Sequence, residues 1–347
     1  MIKVSICIPQ FNRIEFLLKS LSIIERQSYG NIEIVISDDC STDDTAVELK
    51  KLIPLYKFPI VFNTNPVNKG FDYNLRKCIE LSSGDYALVL GNDDTVNGDN
   101  SIQLLVDFLE KMSYPDVGFC NMMEERTGNQ LIKRAFSSKT IGSGCEVALQ
   151  YYSCFSFVGG LIFKKDTFYK YNTESQDGSV FVQIYLAVKM IADGNKLFSI
   201  EEPLIVKDIL VNGNFRNSYR DRIAKRWKYF KVVDGGMPSV INVLFAALRD
   251  TNKLNSKRSF YIFKRIYSIT FPHWILDYRA NKAIPEAAGL FIGMYPGKNK
   301  DFKYLRWYHK ICLLLLYAFI GTIAMFFPVY FFNKWKMKVY ARLKKIK

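Results

Sequence analysis

The first third of the chain alternates short apolar runs with stretches whose apolar residues recur at helical spacing. The first run ends at Pro9, and apolar residues from Phe16 to Ile24 then recur every three or four positions. Short apolar runs bounded by turn residues are typical of buried strands, and the second spacing is typical of amphipathic helices. The pattern therefore predicts four strands separated by helices. The strands fall in IKVSICIP (2–9), IEIVISDD (32–39), FPIVFNTN (58–65) and DYALVLGNDD (85–94).

Alternation of this kind predicts a parallel, doubly wound sheet, whose ligand site lies beyond the carboxyl ends of the strands. Polar and acidic residues follow each predicted strand, so they should converge on one edge of the sheet. We also expect Ser41 or Thr42 to cap the second helix. The strand tips are Pro9 to Arg13, Ser37 to Asp39, Asn65 to Gly70, and Asn92 to Asp94.

The pattern is mixed between about residues 110 and 207. DVGFCNMM and GGLIFKK are typical of strands, and SVFVQIYLAVKMIADG is typical of an amphipathic helix ended by glycine. From residue 208 onward, basic and aromatic helical stretches precede an uncharged run, Ile311 to Phe332, and a tail with seven Lys or Arg residues. We expect a nucleotide-binding half in 1–110, an acceptor half in 111–210, a basic helical extension in 211–310 and a membrane-associating segment in 311–347.

The net charge of +15 is unevenly placed along the 347 residues. Residues 1–110 carry 10 Lys and Arg against 16 Asp and Glu, whereas residues 208–347 carry 27 against 7. The seven cysteines form no C-x-x-C pair, and several lie in apolar runs. This pattern indicates reduced, buried thiols in a protein that faces the cytosol. No charged segment followed by a long apolar core opens the chain, so we expect no secretory signal.

The adjacent acids Asp93 and Asp94 end an apolar strand and repel each other unless a cation or a donor-rich ligand compensates them. Dinucleotide and P-loop sites are excluded because their glycine motifs are absent, and the two histidines, His273 and His309, form no zinc motif. Mg²⁺ or Mn²⁺ fits paired carboxylates at a strand end, because such cations take one or two carboxylates and let phosphates and water complete the shell. The alternative is that one acid caps the helix beginning near Ser101.

Five segments occur in the order and spacing of family 2 glycosyltransferases of the GT-A fold, which residues 1 to about 210 resemble. Within that family, GNDDTVNGDNSI, DGSVFVQIY and EEPLIV most resemble the abequosyltransferase-type enzymes of bacterial O-antigen assembly. The resemblance implies a GT-A doubly wound mixed sheet, with a Rossmann-like nucleotide-binding half and an acceptor half. The five segments are CIPQFNR (7–13), ISDDCSTDDT (36–45), NKGFDYN (68–74), GDYALVLGNDD (84–94) and GGLIFKK (159–165).

The resemblance also assigns roles to the polar tips. The first loop and Asp38 would hold the nucleotide, with the carboxylate accepting from a base N–H. The third tip would close over the base and ribose, where Gly70 permits a close backbone approach. Asn92 stands where the family's acidic triplet begins with a carboxylate. The implied nucleotide-binding residues are Pro9, Phe11, Asn12, Arg13, Asp38, Asn68, Gly70, Asn74, Asn92 and Asp93.

By the same resemblance, Asp94 would bind the metal, and Asp93 would bind the ribose or the metal. The cation would bridge the donor diphosphate while a carboxylate deprotonates the acceptor hydroxyl, giving inversion at the anomeric carbon. The family's usual acidic pair is replaced by Val182-Gln183, so the nearest carboxylate, Asp177, is the predicted base, with a turn or helix-cap acid as the alternative. Asp208 is a second candidate.

The expected function is transfer of a sugar from a CDP-, UDP-, GDP- or dTDP-linked donor to a lipid-linked oligosaccharide in surface polysaccharide biosynthesis. Two other hypotheses remain. An inactive sugar-nucleotide-binding scaffold fits the missing acidic pair. A nucleic-acid-binding protein fits the basic C-terminal region, but such a protein has no need for the uncharged run. Basic residues in 212–222, NGNFRNSYRDR, are expected either to reach the diphosphate or to form a solvated face.

The uncharged run is long enough to cross about 30 Å of hydrocarbon as a helix. A single crossing would carry the basic tail outside, against the tendency of Lys and Arg to stay in the cytoplasm. We therefore expect the run to lie in the membrane interface or to re-enter, bending at Pro328, with the tail on anionic lipid. The predicted location is the cytoplasmic face of the inner membrane, and the alternative is a buried helix pair of a soluble protein.

Overall fold

A computed structural model describes residues 1–214 and 237–335, and the chain divides into two compact units, residues 1–217 and 218–347. The N-terminal unit is built on one ten-stranded sheet with the strand order β3-β2-β1-β4-β9-β6-β10-β5; β7 pairs with β6, and β8 with β10. The strands are β1 (Val4–Gln10), β2 (Ile32–Asp38), β3 (Ile60–Thr64), β4 (Tyr86–Val89), β5 (Thr95–Val96), β6 (Val117–Glu124), β7 (Gln130–Ile132), β8 (Lys139–Gly142), β9 (Leu161–Lys164) and β10 (Leu197–Lys207).

The first four strands are parallel, as predicted, and the sheet becomes mixed where β9 runs antiparallel between β4 and β6. Parallel strands must be covered on both faces, and every residue of β2 and β4 is buried. The GT-A mixed sheet expected from the sequence is confirmed. Seven helices accompany the strands in the described part of this unit. They are α1 (Ile14–Ile24), α2 (Thr45–Leu52), α3 (Phe71–Leu81), α4 (Ser101–Lys111), α5 (Cys145–Tyr151), α6 (Lys165–Tyr171) and α7 (Val182–Ala192).

The start of one helix differs from the sequence expectation, and the start of another excludes an alternative that the sequence left open. Neither Ser41 nor Thr42 caps α2: the Ser41 backbone N–H donates to Asp38, and Thr45 N donates to Asp43 Oδ1 instead. α4 follows Asn100, so neither acid of the adjacent pair caps it. Among the cysteines, five are buried, but Cys40 is half-buried and Cys312 is exposed, which corrects the expectation of buried thiols at those two positions.

The C-terminal unit is helical throughout its described residues. Its core is aromatic: the Tyr317 ring stacks on Phe291 with centroids 5.1 Å apart, and Tyr267 meets Phe271 edge-on at 5.2 Å. His309 stacks on Phe260 at 4.1 Å, in keeping with a structural histidine. The helices are α8 (Met237–Asp250), α9 (Ser256–Arg265), α10 (Phe271–Ala280), α11 (Ile284–Gly293) and α12 (Trp307–Phe326), with a π-helical turn at Ile266–Thr270 between α9 and α10.

Helix α12 begins four residues before the uncharged run and ends two residues before Pro328, since a residue preceding proline disfavours helical geometry. By length and composition α12 could cross a membrane, and only 17% of its most apolar stretch is buried within the protein. Gly321 faces Phe291 on the packed side. The opposite side carries exposed apolar residues four positions apart, namely Ile311, Leu315, Phe319 and Ile323.

Candidate functional site

The loop after β1 is fixed to the loop after β2 by hydrogen bonds. Asn12 and Arg13 both adopt left-handed backbone conformations, with φ of 54° and 65°. Asn12 N donates to Ser41 Oγ over 2.7 Å, and Asn12 Oδ1 accepts from Thr42 N at 2.8 Å. The Phe11 side chain between these anchored neighbours is 42% exposed. An exposed aromatic ring on a rigid loop at the carboxyl edge is suited to contact a nucleotide base.

Two adjacent acids at the end of β2, Asp38 and Asp39, accept hydrogen bonds from different loops. Asp38 is 1% exposed and accepts from the Ser41 N–H; burial raises its pKa, although the bonds from Ser41 oppose the rise. Asp39 accepts from Lys69 N and Gly70 N, each at 2.8 Å. Asp39 therefore anchors the loop that leads into α3.

That loop places the three predicted residues of the third tip differently. Asn68 is exposed, and Gly70 has φ of 89°, a conformation that favours glycine. Asn74 is 3% exposed, and its amide donates to the carbonyls of Gln10 (3.0 Å) and Ser37 (2.8 Å). Its side chain holds α3 against the ends of β1 and β2. Both donors of its amide are used inside the protein, and the predicted contact of Asn74 with the nucleotide stays a prediction.

The acidic edge follows β4. Asp93 Oδ2 lies 2.7 Å from Arg13 Nη1, and its side chain is 18% exposed. Asn92 Nδ2 donates to Phe11 O over 3.3 Å, which joins this turn to the first loop. Burial raises the pKa of Asp93 despite the neighbouring Arg13, and the charge of Asp208 adds to the rise. The carboxylates of Asp93 and Asp208 are thus close enough to affect each other at this edge.

Asp94 points into the protein instead. It is 2% exposed; Oδ2 accepts from Gly91 N (3.1 Å) and Oδ1 from Asp208 N (3.2 Å). Burial and the charges of Asp93 and Asp208 raise its pKa well above its ordinary value. Each oxygen accepts one backbone N–H bond and keeps a further lone pair, so metal binding by Asp94 stays a prediction. Asp93 is the acid of the pair that lies at the edge.

The donor set fits a hard divalent cation. Asp93 supplies a carboxylate beside the amide of Asn92, and oxygen ligands of this kind suit Mg²⁺ and Mn²⁺. Among the described residues, no group of three or more His, Cys, Asp or Glu side chains is arranged to hold a metal by itself. Phosphate and water would have to complete the shell, which is the usual arrangement for Mg²⁺.

Behind the acidic edge lies a compact cluster of opposite charges. Lys207 Nζ contacts Glu124 Oε1 at 2.5 Å and Asp208 Oδ2 at 2.9 Å. Burial alone would raise the pKa of Glu124, but the bond from Lys207 and those from neighbouring side chains lower it to about 2. Ile209 N donates to Asp93 O over 2.9 Å. The end of β10 is thus fixed to the acidic turn.

On the acceptor side, the predicted base Asp177 is bound by Arg76. Arg76 Nε and Nη2 donate to the two oxygens of Asp177 at 2.9 and 2.5 Å, and the Arg76 side chain is 3% exposed. A base needs an oxygen within reach of the acceptor hydroxyl. The base assignment therefore stays a prediction, and the geometry gives Asp177 a clear role in holding its loop against α3.

Asp72 fixes the same segment one turn earlier on α3. It is 2% exposed and accepts from Val180 N at 2.6 Å and Val182 N at 3.1 Å. Val180 has φ of 66°, a strained conformation for a β-branched residue. The next residue on α7, Gln183, is 2% exposed, and its Oε1 has no hydrogen-bond partner among the described residues. An amide with an unused acceptor thus stands where the resemblance to family 2 glycosyltransferases implied an acid.

A buried arginine organises the Gly-Gly segment. Arg134 is 4% exposed and donates to the carbonyls of Cys120 (2.7 Å), Phe157 (3.0 Å) and Gly159 (2.5 Å). A Cβ on Gly159 would lie 2.5 Å from Asp94 Oδ2. Glycine is required there because the backbone passes directly between a buried cation and a buried acid.

Four residues important in this geometry were given no role from the sequence, and only the first of them lay in a predicted strand tip: Asp39, Asp72, Glu124 and Arg134. Asp39 adjoins a predicted site residue, and that adjacency was the available signal. The other three interact with residues distant in the chain, so no local pattern marks them. Most of the basic segment 212–222 lies outside the described residues.

Comparisons with known proteins agree with this architecture. The family model described as "Glycosyl transferase family 2" matches residues 5–169. Over 132 residues the chain is 38% identical to abequosyltransferase RfbV of Salmonella typhimurium, covering 38% of each chain. Over 224 residues it is 26% identical to the GalNAc(5)-diNAcBac-PP-undecaprenol beta-1,3-glucosyltransferase of Campylobacter jejuni, covering 63% of this chain and 70% of the relative. The match thus spans about two fifths of the first relative's length.

Among solved structures, S. aureus TarS 1–349 in complex with UDP superposes with a TM-score of 0.52 at 14% identity, covering 96% of this chain and 91% of that chain. At this identity the likeness concerns the fold alone. The match to glycosyl transferase family 2 thus lies within the N-terminal unit, which has the GT-A fold.

Proposed function

We propose that the protein is an inverting, metal-dependent glycosyltransferase that moves a sugar from a nucleotide-diphosphate donor to a lipid-linked glycan in surface polysaccharide biosynthesis. One observation carries the proposal: in a family 2 domain, Asp93 lies at the carboxyl edge of the sheet beside the anchored loops that follow β1 and β2. The names of the two curated relatives, an abequosyltransferase and a glucosyltransferase acting on an undecaprenol-linked glycan, support the reaction class and the acceptor.

The side chains at the edge of the sheet would have different roles in binding the donor and in the reaction. Phe11 and Asn12 would contact the nucleotide, and the loop held by Asp39 would close beside it. Asp93 would bind Mg²⁺ or Mn²⁺ together with the donor diphosphate; the cation, when bound, neutralises charge that develops on the leaving nucleotide. Arg13, at 2.7 Å from Asp93, would be released toward the same phosphates. Asp177 is the proposed base.

The C-terminal unit would bring the enzyme to its acceptor. The exposed apolar side of α12 is flanked by aromatic residues, with Trp307 72% exposed and Tyr330 69% exposed. Tryptophan and tyrosine favour the level of lipid headgroups. These features support a helix lying in the interface at the cytoplasmic face of the inner membrane.

A thermal-shift screen of CDP-, UDP-, GDP- and dTDP-sugars with Mn²⁺ tests the proposal. A ligand at a hundred times its Kd stabilises the folded state by about 2.7 kcal/mol, so one nucleotide should raise the melting temperature well above the others. The Asp93→Asn variant should lose the part of that rise that depends on Mn²⁺. If no nucleotide shifts the melting temperature in the presence of metal, the proposal fails.

A sugar-nucleotide-binding protein without transfer activity is a second candidate. It is favoured by Gln183, because glutamine cannot take a proton, and by the pairing of Asp177 with Arg76. Nucleotide binding without turnover on any lipid-linked acceptor would favour this candidate.

A further inference from the structure

The C-terminal unit contains an open cavity of about 730 Å³ that the proposed transfer reaction does not use. Its walls come from the end of α8, the start of α9 and the turn at Lys300–Tyr304. Arg249, Lys300 and Lys303 line it together with the single acid Asp301. The first turn of α9, which begins at Ser256, adds the partial positive charge of a helix N-terminus. The charge of the cavity therefore favours an anion.

Asp301 gives the cavity a second property. It is 1% exposed, and its Oδ1 accepts from Arg249 Nη2 over 2.6 Å, which orients the guanidinium. Its Oδ2 has no hydrogen-bond partner among the described residues. A buried carboxylate oxygen without a donor is costly, so a shift of Asp301 that exposes Oδ2 to a ligand hydroxyl would be favoured. The cavity thus offers cations for a phosphate and an acceptor for a hydroxyl.

The cavity also lies beside the start of the apolar helix. Arg306 N donates to Ser256 Oγ over 3.3 Å, so the first turn of α9 adjoins the residue that precedes α12. Tyr304, in the cavity wall, is 64% exposed, and Trp307, the first residue of α12, is 72% exposed. Exposed aromatic residues at the end of an apolar helix mark the depth at which lipid phosphates lie.

We propose that this cavity binds the phosphate of a lipid-borne phosphate ester whose headgroup carries hydroxyl groups. The phosphate would contact Arg249, Lys300 and Lys303, and a hydroxyl would donate to Asp301 Oδ2. The sugar diphosphate of a lipid-linked acceptor and a glycerol phosphate headgroup share this chemistry. The inference depends on the proposed function in one respect only, namely that the lipid-linked acceptor is one of the two sources of the ligand.

The test is binding of the full-length protein to phosphatidylcholine vesicles doped with phosphatidylglycerol or with a polyprenyl diphosphate sugar. The variant Lys300→Ser/Lys303→Ser removes two exposed lysines that line the cavity. The matched control Lys264→Ser/Lys282→Asn removes two exposed lysines elsewhere in the same unit. The cavity variant should bind roughly 30-fold more weakly to at least one doped vesicle, whereas the control should stay close to the parent.

The Asp301→Asn variant distinguishes specific binding at the cavity from general attraction of the protein to an anionic surface. General attraction predicts tighter binding, because a negative charge is removed, whereas the cavity predicts weaker binding, because Arg249 loses its partner. Equal losses in the two lysine variants, or tighter binding by a folded Asp301→Asn protein, would overturn the proposal.

Two further measurements identify the source of the ligand and separate binding at the cavity from binding of the nucleotide sugar. Soluble glucose 1-phosphate that stabilises the parent as strongly as either doped vesicle would refute the assignment to lipid. The lysine variants should keep the thermal shift given by the nucleotide sugar. Failure of the parent to bind any nucleotide sugar would count against the proposed function and would leave the vesicle result to decide the cavity.

Discussion

Glu33 provides the sharpest test of what holds the centre of the sheet together. It lies on β2, is 2% exposed, and contacts Lys3 Nζ at 2.7 Å. It also accepts from Ser5 Oγ at 2.6 Å and from the backbone N–H groups of Ser83 and Gly84. One carboxylate therefore joins β1, β2 and the turn that starts β4, the strand leading to the acidic edge.

The magnitude of this effect follows from the pKa. Burial alone would raise the pKa of Glu33, but the bonds from Lys3, Ser5 and Ser83 lower it from 4.5 to about 2. A tenfold change in an acid dissociation constant corresponds to about 1.36 kcal/mol, so the ionised carboxylate contributes about 3 kcal/mol of folding stability. Because the folded-state pKa is depressed, this contribution is fully present above pH 4.5 and is lost as the pH falls toward 2.

The perturbation is Glu33→Gln, and the assay is differential scanning calorimetry of the full chain at pH 7 and at acid pH. At pH 7 the variant should melt roughly 6–12 °C below the parent, since 1 kcal/mol shifts a domain of this size by about 2–4 °C. The gap should close as the pH falls below 4.5. Glu110→Gln, at an exposed position, is the control. A gap below about 2 °C at pH 7, or one that is independent of pH, would refute the reasoning.

The remaining predictions concern the site and the membrane. Asp93→Asn should abolish transfer with the fold intact, as should chelation of the parent, and full activity in excess chelator would contradict a metal-dependent reaction. Asp94→Asn should instead destabilise the protein by about 1–3 kcal/mol, measured by urea unfolding, because its new NH₂ group faces backbone donors; unchanged stability would contradict its buried role. Asp177→Asn should slow transfer by roughly 10²- to 10⁴-fold with nucleotide affinity unchanged, while Arg76→Gln, which breaks the same ion pair, should not; equal losses would indicate positioning alone. Single cysteines placed in the tail, residues 336–347, should resist an impermeant reagent added outside intact cells, and labelling from outside would establish a true membrane span.

The sequence alone determined the elements and the edge at which they meet. Period-two and period-3.6 patterns are local, so β1 to β4, α1 to α3 and the convergence of their polar tips could be predicted from the order of residues. The glycine at position 70 was predictable for the same reason, because its backbone conformation is a local property. Expected and observed elements agree to within a few residues in this region.

Only the tertiary structure decided which side chains at that edge face outward. Asp93 and Asp94 are neighbours of the same chemical type, and Asp94 is buried because β10 and Gly159 close over it. Likewise, Asp177 is paired with Arg76, 101 residues away. Hydrogen bonds between distant segments leave no periodic trace in the sequence. The order of residues therefore located the site, and the packing of separate strands and helices assigned the acids within it.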